Sequence, residues 1–153
     1  ATIVFMLIEQ IRTDLNVATK ARDSVRQRTL RSIIAAVQEA QVSGDTAKEL
    51  DDDGVMVVLK AQVKRRIDAA QAFDAGGAGD RAAAEREEQE IIEGYLPEAM
   101  TDEQLESIVA TVMEANGFVE RSDMGRAMKA INAEVAGRAD GRRVADLVKS
   151  RLT

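Results

Sequence analysis

Apolar residues recur at spacings of three and four along most of this chain, and that spacing lines one face of an α-helix. The pattern stops wherever glycines, acidic caps or the single proline occur, so it divides into seven segments. We expect an all-α protein with no stable sheet, because strong helix formers dominate the composition. The predicted helices, with their caps included, cover approximately residues 3–19, 23–42, 51–73, 80–95, 101–116, 122–135 and 140–152.

The motif Tyr95-Leu96-Pro97 separates the fourth predicted helix from the fifth. Proline has no backbone N–H to donate, and it pushes the residue before it toward extended geometry, so the helix must end here. We place a domain boundary at this point. It divides the chain into an N-terminal helical domain of about four helices, residues 1–96, and a small C-terminal three-helix domain, residues 97–153.

Residues typical of helix ends mark the predicted boundaries. Asp23 and Asp140 can accept hydrogen bonds from the first turns of the second and seventh helices. Thr101 and Gln104 have the spacing of a capping box at the start of the fifth helix. Gly137 suits a left-handed residue that ends the sixth helix, so we expect the last two helices to turn back on each other as a hairpin.

Two motifs invite a chemical interpretation that their surroundings do not support. Asp51-Asp52-Asp53 could suggest a metal cluster, but consecutive helical residues point in different directions, so we interpret the triplet as the acidic start of the third helix. The glycine-rich stretch 76–80 precedes a helix, as a phosphate loop does. No strand precedes it, however, and no Lys-Ser or Lys-Thr follows, so we predict an interhelical turn.

Cysteine and histidine are both absent. Their absence excludes disulfides, thiolate nucleophiles and zinc sites of the usual kind, so we expect no catalytic residue, no metal and no cofactor. We find no apolar run of about 18 residues and no secretory signal pattern, which leads us to expect a cytoplasmic protein without a membrane partner. The apolar cluster 3–8 is either a buried first helical turn or residues before a natural start at Met6.

Positive charge concentrates at the C-terminal end of an acidic chain. The formal net charge is −6, but residues 121–153 hold 8 Lys or Arg against 4 Asp or Glu. A basic end on an acidic protein favours an oriented surface for an anionic partner, although cations in last helical turns also complement the helix dipole. The candidates for contact with RNA phosphate and sugar groups are Arg126, Lys129, Arg138, Arg142, Arg143 and Lys149.

Three other charged stretches have a simpler interpretation. Basic residues between 12 and 31, which include Arg26, Arg28 and Arg31, are interpreted as a solvated face first and a ligand surface second. On the third helix, Lys64 and Arg66 and their basic neighbours are predicted to occupy the polar faces. Residues 85–106 hold 9 acidic side chains against one arginine, and we expect a solvated or partner-facing surface.

Taken in order, several short motifs resemble the YqeY-like family, small bacterial helical proteins related to the tail domain of the B subunit of the transfer-RNA-dependent amidotransferase. The chain departs from the family's pattern at Ala99, where glutamine is expected, and near Asn132, where relatives often carry proline. The motifs that carry the resemblance are Arg26 with Thr29-Leu30-Arg31, Lys64 with Arg66, Tyr95-Leu96-Pro97 followed by Thr101 and Leu105, Met124-Gly125 with Met128, and Gly137-Arg138-Ala139-Asp140-Gly141 with Val144 and Leu147-Val148.

The resemblance implies a non-catalytic module that binds tRNA or another structured RNA, or that associates with an amidotransferase. The amidation chemistry does not carry over, because the chain lacks the Gly-Gly-Ser-Ser signature; a label naming carbon–nitrogen ligase activity with glutamine as donor would be inherited from larger relatives. With aromatics at 3%, we expect recognition of RNA shape, and no DNA partner. The alternative is a protein–protein adaptor that docks through the acidic fourth helix and the small domain.

Overall fold

The computed structural model describes residues 6–153. In that part of the chain it contains seven α-helices, one short 3-10 turn at Arg121–Asp123 and no strand, so the all-α prediction is confirmed. The expected helix start at Ile3 lies outside the described residues. The helices are α1 Met6–Lys20, α2 Ser24–Val42, α3 Asp52–Ala75, α4 Gly79–Glu93, α5 Asp102–Asn116, α6 Met124–Val135 and α7 Gly141–Arg151.

The packing divides the chain between Leu96 and Pro97 into two compact units. We call residues 6–96 unit 1 and residues 97–153 unit 2, and each is described by itself. The division falls at the break expected from Pro97, and α4 ends at Glu93 just before it. That the two units are independent domains stays a prediction.

Unit 1 is held together by apolar stripes that all four of its helices turn inward. A fully buried core residue belongs to a network of close contacts, and its removal from water contributes about 1.5–3 kcal/mol. The glycine-rich stretch forms the predicted turn between α3 and α4, where Gly77 takes a positive φ of 77°. The largest fully buried side chains of this core are Ile11, Leu30, Ile33, Val37, Val55, Leu59 and Ile92.

The helix starts of unit 1 use the predicted acidic caps. Asp23 accepts a hydrogen bond from the backbone N–H of Arg26 at 3.1 Å, and Asp51 accepts one from Gly54 at 2.9 Å. Asp52 has a second use, because its carboxylate accepts from the backbone N–H of Leu7 at 3.0 Å. The acidic triplet therefore joins the start of α3 to the start of α1 and is a helix-start motif, as interpreted from the sequence.

Arg66 is buried, which corrects the prediction that it occupies a polar face of α3. Only 9% of its surface is exposed. Its guanidinium donates to Ser32 Oγ of α2 at 2.6 Å and to the side chain of Gln62. The Glu88 carboxylate of α4 lies 3.7 Å from Arg66 Nε and 3.3 Å from Arg28 Nε. Because α4 packs over Arg66, a side chain that was predicted to lie on a polar face links α2, α3 and α4 inside unit 1.

Tyr95 ties the residues after α4 back to α1. Its hydroxyl donates a hydrogen bond to the carboxylate of Asp14. Burial raises the pKa of Tyr95 to about 12, helped by the hydrogen bond and the negative charge of Asp14, while nearby Arg26 opposes the rise. The Tyr95-Leu96-Pro97 motif therefore ends the helix and also holds the last residues of unit 1 against α1.

Unit 2 is a three-helix bundle with an aliphatic core. The predicted capping box is present at Thr101, whose hydroxyl accepts from Gln104 N at 3.2 Å. Gly137 is left-handed as predicted, with φ 78°, but Ala136 before it also has a positive φ of 48°, at a cost of roughly 1 kcal/mol. Among residues 6–153, the helices lack an apolar stretch of the length needed to span a bilayer. The buried core residues are Met100, Leu105, Val109, Met113, Ala127, Ile131, Val135, Val144 and Val148.

The buried position of Arg66 gives a stability prediction. Replacing it (Arg66→Ala) removes the hydrogen bond to Ser32 and leaves Glu88 with Arg28 alone, so we expect the free energy of unfolding to fall by about 2–4 kcal/mol. Urea unfolding followed by circular dichroism measures the change. The matched control is Arg65→Ala on the next, exposed residue of the same helix, which we expect to stay within about 0.5 kcal/mol of the parent.

A second variant separates charge from packing at this position. The double substitution Arg66→Met with Glu88→Leu removes both charges together, and we expect it to recover part of the loss, because apolar side chains can replace a buried ion pair. Equal destabilisation by Arg66→Ala and Arg65→Ala would contradict the assignment of Arg66 as an internal link.

Tyr95 gives a direct optical test, because it is the single tyrosine of the chain and tryptophan is absent. Tyrosinate absorbance in the near ultraviolet should therefore report the titration of this one hydroxyl. We expect the folded protein to titrate near pH 12 rather than at the ordinary value of 10.0, and Asp14→Ala to lower the midpoint. Asp80→Ala, on an exposed carboxylate at the start of α4, is the control and should leave the midpoint unchanged. A parent midpoint near 10 in the folded protein would refute the contact.

Candidate nucleic-acid interface

The six basic residues predicted to contact RNA all lie on α6, on α7 or in the turn between them. The turn comprises only residues 136–140, so α6 and α7 run back along each other. The start of α6 and the end of α7 line one groove together, as Met124 and Leu152 show. The hairpin therefore has two ends, and the predicted residues are divided between them.

Arg138, Arg142 and Arg143 lie at the end of the hairpin where α7 begins, and we call these three residues the arginine end. The backbone N–H of Met100 donates to the carbonyl of Arg138 at 2.8 Å, which joins the segment before α5 to the turn before α7. The Arg143 side chain pairs with Asp102 at the start of α5. The starts of α5 and α7 are thus brought to the same place as the three arginines.

Two helix starts lie at the arginine end beside the three arginines. The first backbone N–H groups of a helix carry a partial positive charge, which attracts anions. Two of those groups are already occupied by caps. Thr101 accepts from Gln104 N, and Asp140 accepts from Arg142 N at 3.3 Å. The remaining attraction for an anion therefore comes mainly from the arginine side chains.

The three arginines differ in how freely they can meet a ligand. Arg138 is half-buried, and its Nε donates to the backbone carbonyl of Glu98 at 2.9 Å. Arg143 is 40% exposed and pairs with Asp102, which is 82% exposed, and exposed pairs of this kind contribute only about 0.2–1 kcal/mol. Arg142 is exposed and forms no ion pair with any described residue. Arg142 is therefore available to a ligand directly, whereas Arg143 must first break its ion pair with Asp102.

The other three predicted residues lie away from the arginine end. Arg126 pairs with Asp123, and its guanidinium lies 5.6 Å from the centre of the Phe118 ring. Lys129 is exposed in the middle of α6. Lys149 lines a groove at the opposite end of the hairpin. The structure therefore does not unite the six residues in one surface.

Arg121 is a residue that sequence reasoning passed over. It lines the same groove as Lys149, together with Met124 and Leu152. It belongs to the basic stretch 121–153, but it precedes the helical repeat by which the other candidates were chosen. The count of basic residues over 121–153 includes Arg121, whereas helical periodicity does not select it.

Asp123 organises the loop before α6. It is 8% exposed and accepts backbone hydrogen bonds from Val119 at 2.9 Å and from Glu120 at 3.0 Å. Those two bonds lower the pKa of Asp123 below its ordinary value, and Arg126 lowers it further against the opposing effect of burial. The ionised carboxylate thus holds the 3-10 turn that carries Arg121.

The basic residues between 12 and 31 are mostly exposed to solvent, and one of them forms an ion pair within unit 1. Arg12, Arg26 and Arg31 are exposed, as expected, while Arg28 is engaged by Glu88. Glu88 is therefore directed inward, although it belongs to an acidic run expected to face solvent or a partner. No group of carboxylates suited to a metal ion occurs among the described residues.

The fold is that of a small all-helical protein, and its C-terminal helical hairpin carries basic side chains at both ends. The chain belongs to the family described as Yqey-like protein, whose model matches residues 8–152. This confirms the family that its short motifs resemble.

Three curated relatives share the name "Altered inheritance of mitochondria protein 41, mitochondrial". The protein from Clavispora lusitaniae is 29% identical over 133 residues, which cover 85% of this chain and 76% of the relative. The protein from Lachancea thermotolerans is 22% identical over 151 residues, which cover 95% of this chain and 78% of the relative. The protein from Meyerozyma guilliermondii is 28% identical over 58% of this chain and 46% of the relative.

These names correct two expectations. The relatives are mitochondrial proteins, so the predicted cytoplasmic location is contradicted, and they are not the bacterial proteins that the resemblance led us to expect. The location was inferred from a missing secretory pattern, which does not report import into mitochondria, because import depends on a different kind of sequence.

Asp123 gives a prediction about acid stability. Its pKa is lower in the folded chain than the ordinary value of 3.8 that applies to the unfolded chain. The stabilisation is therefore complete above that value and is lost as the pH falls through the folded pKa, because the unfolded chain then binds the proton more strongly. We expect Asp123→Asn to be less stable than the parent at neutral pH, and the difference to shrink below about pH 4.

Urea unfolding at a series of pH values measures that difference. The control is Asp146→Asn, which neutralises an exposed carboxylate on α7 and should leave the parent's pH dependence unchanged. A difference between the parent and Asp123→Asn that is the same at acidic and neutral pH would show that the ionised carboxylate does not hold the loop.

Proposed function

We propose that this chain is a non-catalytic helical module that binds tRNA or another structured RNA through the arginine end of unit 2. The observation that supports the proposal is the meeting of Arg138, Arg142 and Arg143 with the starts of α5 and α7. Arg142 approaches a phosphate directly, and Arg143 turns from Asp102 to a second phosphate on binding. Arginine suits this task because its planar guanidinium can donate two parallel hydrogen bonds to a phosphate.

The side chains at this end favour contact with the RNA backbone over contact with bases. Neither the arginine end nor the residues bonded to it include an aromatic ring on which a base could stack. Guanidinium groups that follow phosphates recognise the shape of a folded RNA, because the spacing of phosphates depends on the fold. Such contacts distinguish tRNA from a flexible single strand without reading a sequence.

Local carboxylates limit the affinity. Asp102 and Asp140 lie beside the arginines, and the chain as a whole has a formal charge of −6. Binding therefore depends on short-range contacts at one end of unit 2, since long-range attraction of the whole protein for a polyanion is unfavourable. The two phosphate contacts of Arg142 and Arg143 correspond to a slope of log affinity against log salt of about −1.4 to −1.8.

The family resemblance makes tRNA the first RNA to test and an amidotransferase a possible assembly in which the module acts. The names of the relatives make mitochondrial tRNA a second probe. In either case the module contributes binding rather than amidation chemistry. Arg126, Lys129 and Lys149 are not required by this proposal, and their contact with RNA stays a prediction.

The test is the binding of a labelled tRNA transcript to the whole chain, followed by fluorescence anisotropy at increasing salt. We expect Arg142→Glu to weaken binding about tenfold or more, and Arg142→Ala to reduce the salt slope by about one, because one phosphate contact is lost. A single-stranded polyuridylate of similar length should bind more weakly, because its phosphates are not held at fixed spacing.

The matched control is Arg12→Glu, which makes the same change of charge at an exposed residue of α1. It should change the affinity less than twofold to threefold, roughly the effect of net charge alone. Binding that is undetectable at low salt, or that falls equally in Arg12→Glu and Arg142→Glu, would refute the arginine end as the RNA site.

A further inference from the structure

The end of the α6–α7 hairpin opposite the arginine end contains a groove with a different chemistry. It has a volume of about 400 Å³ and is lined by Arg121, Met124, Lys149 and Leu152. This is within the range of volumes found for binding pockets in proteins. The groove lies wholly within unit 2, between the loop that Asp123 organises and the last residues of α7.

The floor of the groove is apolar and firmly supported. Met124 and Leu152 are half-buried, and both pack against the core of unit 2. The backbone N–H of Thr153 donates to the carbonyl of Val119 at 2.9 Å, which fastens the residues after α7 to the loop before α6. Val119 itself is 55% exposed. The groove therefore has a small aliphatic floor that the core of unit 2 supports.

The rim of the groove carries two positive charges that the described part of unit 2 does not balance. Arg121 and Lys149 are both exposed, and neither forms an ion pair with any residue of 6–153. Asp123, the buried carboxylate of this loop, is already engaged by Arg126 and by two backbone N–H groups. A ligand that enters the groove therefore meets two available cations above an aliphatic floor.

Those two features together favour an acidic peptide over an RNA backbone as the ligand. An RNA backbone offers phosphates to Arg121 and Lys149 but no aliphatic group for Met124 and Leu152, and the groove has no aromatic side chain on which a base could stack. An acidic peptide offers both, because carboxylates and an aliphatic side chain can lie within a few residues of each other.

We propose that this groove binds a short acidic segment of a partner protein. One aliphatic side chain of that segment packs on Met124 and Leu152, and neighbouring carboxylates pair with Arg121 and Lys149. The groove is small compared with a standard protein interface, so the contact is weak unless a second surface contributes. The proposal is independent of RNA binding at the arginine end, and it assigns Lys149 to the peptide.

The experiment titrates the whole chain with a short fluorescein-labelled peptide that has leucine at its centre and Glu and Asp on both sides. We expect binding with a Kd of ~10–100 µM. Two control peptides each remove one feature, by replacing leucine with serine or the acidic residues with their amides. We expect each control peptide to bind at least about tenfold more weakly, because binding requires both the apolar contact with the floor and the ion pairs with the rim.

Variants of the protein then locate the site. Lys149→Glu and, separately, Arg121→Gln should each weaken binding of the leucine peptide at least about fivefold. The matched control Arg151→Glu reverses a charge two residues from Lys149 on a side chain that does not line the groove, and should change the Kd less than about twofold. Circular dichroism confirms that each variant is folded.

Further outcomes separate this proposal from the proposed function. Arg142→Glu should leave peptide binding unchanged while it weakens tRNA binding, and excess tRNA should not displace the peptide. The peptide proposal is wrong if the leucine peptide fails to bind at ~1 mM, if all three peptides bind equally, or if Lys149→Glu and Arg151→Glu have the same effect. It is also wrong if Lys149→Glu weakens tRNA binding as much as Arg142→Glu does, because the groove would then be an RNA contact.

Discussion

The hydrogen bond from the backbone of Met100 to the carbonyl of Arg138 joins two parts of the chain that are far apart in sequence, and the candidate RNA interface depends on that junction. It holds the turn before α7 against the segment before α5, so that two helix starts and three arginines share one end of unit 2. The aliphatic core beneath them maintains the junction, because Leu105, Val109, Val144 and Val148 are all buried in it.

Two arginines of this protein differ in role because packing brings a carboxylate from another helix to only one of them. Arg66 and Arg142 are both helical residues with another arginine directly beside them in the sequence. α4 brings Glu88 to Arg66, whose guanidinium becomes part of the interior, whereas no carboxylate of the described chain pairs with Arg142. The first arginine stabilises the fold and the second remains available for an anionic partner.

Unit 2 offers two cationic ends with different surroundings. At the arginine end the cations stand beside carboxylates and helix starts, which suits phosphates that can displace an exposed ion pair. At the other end they stand above methionine and leucine, which suits a ligand with an aliphatic part. A single short hairpin can in this way serve two partners of different chemistry, because its ends do not share lining residues. This arrangement is compatible with membership of the Yqey-like family, whose curated relatives here are named for mitochondrial inheritance.

The sequence by itself determined the helices, most of their ends and the position of the break at Pro97. These features depend on contacts within about four residues, such as the bond from Arg26 N to Asp23 and the capping box at Thr101, and short-range contacts can be read from spacing. It also found the basic C-terminal stretch that contains the arginine end. Tertiary structure alone decided which charges are buried and which cations share a surface. The partners of Arg66, Leu7 and Tyr95 lie 34, 45 and 81 residues away, so only the packing of whole helices brings them together.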